Sequence, residues 1–262
     1  MGRKKIVAGN WKMNTDARSA AALMEQLVAW RASNPGRVQM IVAPPFPFLA
    51  STVEMRAGHN ADEGVLVAAQ NCHSAKSGAF TGEVGVPMLA SLGVAGCIVG
   101  HSERRQFFGE TDKSVGQKIV ALLEHGLLPI YCCGELRQDR EAGRHQDVVA
   151  TQLHTALSRF KPAQLARVVV AYEPVWAIGT GLTATPGQAQ EMHAFIRAEL
   201  ARMAGGVADE MPLLYGGSCK PDNAGGLFAQ PDIDGGLIGG AALNAADFTS
   251  IVATAEQTIN AT

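Results

Sequence analysis

Gly96-Cys97-Ile98-Val99-Gly100, then Thr111-Asp112 with Val115, Ile119, Leu122 and Leu123 behind it, then Leu128-Pro129-Ile130-Tyr131-Cys132, form the stretch that decides the fold. The two short apolar runs show almost no polar alternation, as strands buried on both faces require. The intervening segment opens on a Thr-Asp cap and repeats its apolar residues at helical spacing. Strand, helix and strand in this order predict parallel neighbours joined by a helical crossover.

The same alternation extends in both directions. Runs of strand type occupy residues 5–10, 38–43, 65–70, 96–100, 128–132, 167–173, 212–216 and 235–239. Between them, Thr15 or Asp16 caps a helix with Ala20, Leu23, Leu27 and Trp30 on one face, and Thr185-Pro186 opens another bearing Ala189, Met192, Ile196, Leu200 and Met203. Asn244 precedes a third, with Phe248, Ile251, Val252 and Ala255, and weaker helical patterns follow Pro47, Glu135 and Pro221. Roughly eight strand–helix units without a linker or a break in composition predict an α/β protein, a single closed (β/α)8 barrel spanning residues 1–262. An open doubly wound sheet is the alternative. Glycines just past the strand ends, at positions 100, 134, 179, 216, 217, 239 and 240, favour the barrel, where the loops after the strands build the active site.

Composition narrows the function classes. With 262 residues, 47% hydrophobic and 18% charged, the chain has material for a large core. A net charge of -2 and no basic run longer than Arg3-Lys4-Lys5 argue against nucleic-acid or membrane-surface partners. Five cysteines, with no C-x-x-C pair, fit a reducing cytoplasm better than a disulfide framework. No apolar stretch is long enough for a bilayer span or an N-terminal signal, so a cytoplasmic location is expected.

Several motif readings fail on context. Gly179-Thr180-Gly181-Leu182-Thr183-Ala184 has the letters of a dinucleotide fingerprint, but Glu173 and the residues up to Ile178 separate it from its strand, and no acid-ended second strand follows. The seven histidines form no i, i+4 pair, and neither a phosphate loop ending in Gly-Lys nor a G-x-S-x-G elbow occurs. No cofactor and no metal are expected.

What remains is polar chemistry at strand ends. Ala8-Gly9-Asn10-Trp11-Lys12-Met13-Asn14, Gly100-His101-Ser102-Glu103-Arg104-Arg105, Tyr172-Glu173-Pro174-Val175-Trp176-Ala177-Ile178-Gly179-Thr180-Gly181 and Tyr215-Gly216-Gly217-Ser218 lie on four different strands. Together with Gln70-Asn71, Gly78-Ala79-Phe80-Thr81-Gly82-Glu83 and the run from Asp234 to Gly240, this set closely resembles the signatures of the triosephosphate isomerase family. The likeness runs from residue 6 to past residue 240.

The resemblance implies a cofactor-free isomerase interconverting D-glyceraldehyde 3-phosphate and dihydroxyacetone phosphate in glycolysis and gluconeogenesis. It implies Glu173 as the base, His101 acting on the substrate oxygens, and Asn10 and Lys12 binding substrate and its developing charge. Each role has a physical basis. An acid at a barrel mouth can be desolvated, which makes it a better base toward carbon. A histidine opening a helical turn is disfavoured as imidazolium and can donate from a neutral ring. A cation and an amide side by side preorganise the site for an enediolate. Gly216, Gly217 and Ser218 with Gly239 and Gly240 offer bare N–H groups for a phosphate, and the resemblance brings Gly179 to the same anion. Residues 174–184 resemble a closing lid, with Leu182 where the family often has lysine. Glu103 and Arg105 read as supporting ion pairs, and the adjacent Cys132 and Cys133 as packing on opposite strand faces. Finally, the glycine-punctuated loop 71–85 carries Phe80 and Thr81, and the resemblance implies that it inserts beside a partner's Asn10 and Lys12 in a homodimer.

Overall fold

The computed structural model describes residues 3–56 and 64–260. Strands β1 (Ile6–Asn10), β2 (Gln39–Ala43), β3 (Val65–Ala69), β4 (Gly96–Val99), β5 (Leu128–Cys133), β6 (Val169–Tyr172), β7 (Leu213–Tyr215) and β8 (Gly235–Ile238) pair in order, all parallel. Pairing of β8 with β1, in the register Ile6 with Gly235, closes the ring. The open-sheet alternative is thereby excluded.

Two apolar layers explain the lack of polar alternation. One set of strand residues, including Ile6, Ile41, Leu66, Ile98, Ile130 and Leu214, fills the barrel interior. The alternate positions, such as Val7, Val42, Val67, Val99, Tyr131 and Val170, pack outward beneath the helices. Cys132 belongs to the inner layer and Cys133 to the outer one, both fully buried, as expected for neighbours on a strand.

The helix starts follow their side-chain chemistry. Asp16, rather than Thr15, caps the Ala17–Ser33 helix in a reciprocal pair with Ser19. Thr111 and Thr185 form the same kind of box with Ser114 and Gln188. The Val86–Leu92 helix escapes the sequence reading because its cap is Gly85, with no side-chain acceptor. At the barrel end away from the strand C-termini, buried Asp234 accepts from Arg3 and Arg197 at 2.9 Å each and from the Leu213 N–H at 3.0 Å, tying β7 and β8 to the Pro186–Ala204 helix.

His193 is on the inward face of that helix, fully buried, edge-on to Tyr172 at 5.7 Å between ring centroids. Burial lowers its pKa from an ordinary 6.5 to about 4. The unfolded chain therefore takes up this proton near pH 6.5 while the folded chain resists until near pH 4, so stability is lost as pH falls through that interval. The loss amounts to about 3 kcal/mol when complete. Urea midpoints measured between pH 8 and pH 5 should fall with acid in the wild type. His193→Asn should flatten that slope whatever its absolute stability, and an unchanged slope would remove His193 as its source.

Candidate active site

Asn10 closes β1 and is almost fully buried, and its Oδ1 accepts from the Lys12 N–H at 3.0 Å. Lys12 has φ of +52°, a left-handed conformation that costs a non-glycine residue on the order of 1 kcal/mol. Gln70 at the end of β3 holds it there, its amide donating to the carbonyls of Lys12 at 2.8 Å and Ala43 at 2.9 Å. The Lys12 ammonium lies 2.6 Å from Glu103 Oε1. Glu103 thus acts directly on the lysine, whereas Arg105 braces the strand ends, donating to the carbonyls of Gly100 and Cys132 and pairing with Asp112.

His101 is the N-cap of the Ser102–Phe108 helix, and its Nδ1 accepts from the Glu103 N–H at 3.3 Å. With Nδ1 accepting, Nε2 is the ring nitrogen left to donate. Nε2 faces Glu173 Oε1 at 3.1 Å. The Glu173 carboxylate is 1% exposed and also accepts from Ser102 N at 2.9 Å and Ser102 Oγ at 3.1 Å. A helix N-terminus is a strong partner for such an anion.

Glycines make the approach possible. A Cβ at Gly134 would stand 1.8 Å from the Glu173 carbonyl oxygen, and one at Gly216 would stand 3.0 Å from Glu173 Cγ. Only a bare backbone fits at Gly134, and at Gly216 a side chain would crowd both the Glu173 side chain and the Tyr172 carbonyl.

Asn10, Lys12, His101, Gly179, Ser218, Gly239 and Gly240 all line one cleft of about 240 Å³. Its lining combines side chains that follow β1 and β4 with the backbone of residues 216–220 and the short turn Gly240–Leu243, and the Lys12 ammonium stands 3.9 Å from where a Cβ on Gly239 would be. Glu173 is the exception: its carboxylate is drawn aside to Ser102 and faces a neighbouring cavity of about 340 Å³ that also touches Gln152 and Val175.

Glu135, which the sequence reading passed over, anchors the segment that follows β6. Fully buried, its Oε1 accepts from Tyr172 Oη at 3.0 Å and from Trp176 Nε1 at 2.9 Å. That segment then runs through the turn Val175–Ala177 to a tip where Gly179 and Gly181 adopt φ of +68° and +81°. Residues 179–183 are exposed. Among the described residues, no cluster of three or more His, Cys, Asp or Glu side chains is arranged to hold a metal ion.

The family model described as triosephosphate isomerase matches residues 5–255. The chain belongs to the triosephosphate isomerase family. Proteins named triosephosphate isomerase from Ralstonia nicotianae, Stenotrophomonas maltophilia strain R551-3 and Cytophaga hutchinsonii are 50%, 49% and 48% identical to it. The matches cover 95%, 97% and 95% of this chain and 98% of each of those isomerases. Against this isomerase background, Gln70, Ser102 and Glu135 stand out as residues that position others; Gln70 and Ser102 fall within runs that resemble the family's signatures, whereas Glu135 carries no signal beyond its place just past a strand end.

Proposed function

We infer that this protein is an isomerase that interconverts D-glyceraldehyde 3-phosphate and dihydroxyacetone phosphate, with a role in glycolysis and gluconeogenesis, on a single (β/α)8 domain. The observation that carries the reading is the meeting of His101 and the Glu173 carboxylate, 3.1 Å apart, where His101 lines a cleft that also exposes the glycine backbone of residues 216, 217, 239 and 240. Glu173 leaves Ser102, takes the proton from the carbon beside the carbonyl and returns it to the neighbouring carbon. His101 Nε2–H donates to the carbonyl oxygen as negative charge develops, then mediates the proton's passage between the two oxygens. Lys12 and the Asn10 amide hold the enediolate. Gly179, Ser218, Gly239 and Gly240 bind the phosphate. Lid closure excludes water, which would otherwise favour elimination of phosphate from the enediolate. The proton is moved within one molecule and no net oxidation occurs.

A coupled assay of the purified protein with D-glyceraldehyde 3-phosphate in the presence of EDTA tests this. Turnover to dihydroxyacetone phosphate is the expected result, and its absence would overturn the reading.

A homodimer and a cytoplasmic location belong to the same proposal. Loop 71–85 is tied at its root by His73 N–H to the Val84 carbonyl at 2.8 Å, and Phe80 stacks on His73 with centroids 4.2 Å apart yet stays 47% exposed. Met13, Phe46, Phe80, Phe107 and Phe108 are exposed apolar side chains following β1 to β4 in turn. Four neighbouring strands thus present apolar residues on one side of the barrel mouth, as an isologous interface requires. All five cysteines are free, and among the described residues no helix is long and apolar enough to cross a membrane.

A further inference from the structure

Two lysines, Lys12 and Lys220, line the cleft. The Lys12 ammonium pairs with Glu103 at 2.6 Å and stands 3.9 Å from where a Cβ on Gly239 would be, so it reaches the loop backbone as half of an ion pair. Lys220 has no ion-pair partner among the described residues and is exposed. Its backbone is fixed where it stands: Asn223 Oδ1 accepts from the Lys220 N–H at 2.8 Å, and Asn223 Nδ2 donates to the Ser218 carbonyl at 3.2 Å. Pro221 stiffens the same bracket. The lysine thereby flanks the glycine backbone of residues 216 and 217, at the cleft end remote from His101 in the chain's layout of strands. The lid offers no alternative cation, since residues 174–185 contain no charged side chain. A chain of net charge -2, with Glu103 and Glu173 beside the cleft, needs a local positive field to admit a dianion.

We propose that Lys220 is a specificity-determining residue: it supplies the uncompensated positive charge that draws the substrate's dianionic phosphate group to the loop backbone. The proposal rests on the triose phosphate reading above and adds a residue to it. One unit charge acting on a dianion across partly solvated space is worth about three- to tenfold in capture at low salt. The effect fades as the screening length contracts from about 30 Å at 0.01 M salt to about 8 Å at 0.15 M.

The test compares wild type, Lys220→Gln and Lys220→Arg in kcat/KM across that salt range, together with calorimetric binding of inorganic phosphate. Lys220→Gln should lose about three- to tenfold in kcat/KM at low salt, more through KM than through kcat, with the gap closing at high salt and phosphate binding weakened in parallel. Lys220→Arg should restore both. Equal kcat/KM and equal phosphate affinity in wild type and Lys220→Gln at low salt would overturn the proposal. Phosphate binding needs no turnover, so it tests Lys220 even if the wild type failed to isomerise triose phosphates, an outcome that would instead sink the functional reading.

Discussion

Glu173→Gln lowers kcat by about 10² to 10⁴, the usual contribution of a positioned general base. The amide has the carboxylate's shape but cannot take a proton from carbon. It is also a poorer guest at its resting place. Ser102 N, Ser102 Oγ and His101 Nε2 all point toward the two carboxylate oxygens, and a carboxamide must turn its NH2 toward at least one of these. That mismatch costs about 1–3 kcal/mol at a buried site, so a lowered melting temperature should accompany the loss of rate. Substrate-analogue affinity should change far less, because the phosphate end of the cleft is untouched. A Glu173→Gln protein with near wild-type kcat would place the base elsewhere.

Thr81→Arg should dissociate the proposed dimer and lower kcat together, by about 10²-fold if Lys12 shifts by an ångström. Residues 76–83 are exposed in the single chain, so an arginine there costs the fold little. In the proposed interface the same arginine would be an unpaired charge in a closed pocket. Lys12 is the side chain at risk, since it occupies a left-handed conformation next to Met13, which is 96% exposed in the isolated chain. Each subunit carries its own Asn10, Lys12, His101 and Glu173, yet in this reading the loop bearing Lys12 is pressed into place by the neighbour. Sedimentation and activity measured together across concentration decide the matter. A monomer with full kcat would show that the site does not depend on a partner.

The sequence made the barrel legible for a definite reason. Strands covered on both faces appear as uninterrupted apolar runs, and every one of the eight lies where such a run occurs, seven of them trimmed at one or both ends and β5 extended by Cys133. Helix starts were legible where a side chain caps them, at Asp16, Thr111 and Thr185, and illegible at Gly85. The cleft residues could be named because they occupy strand ends in familiar runs. Gln70, Ser102 and Glu135 were not read as positioning residues, because what they do is a distance between strands far apart in the chain. The resting orientation of Glu173 belongs to the same class, since Ser102 lies 71 positions away in sequence.

Gly134 at the end of β5 sits between the strands that bear His101 and Glu173, and its hydrogen bonds with Gln152 occupy both its N–H and its carbonyl. Every other amino acid would drive a side chain into the Glu173 backbone. The position is therefore a spacer: the gap across which acid and base face each other is set by the one residue type that has no bulk. A survey of substitutions scored only for folding would register Gly134 as a packing site. Its wider consequence is for design, because a barrel of this kind can be given new loops around the rim, but the spacing of His101 and Glu173 rests on a strand that contributes neither of them.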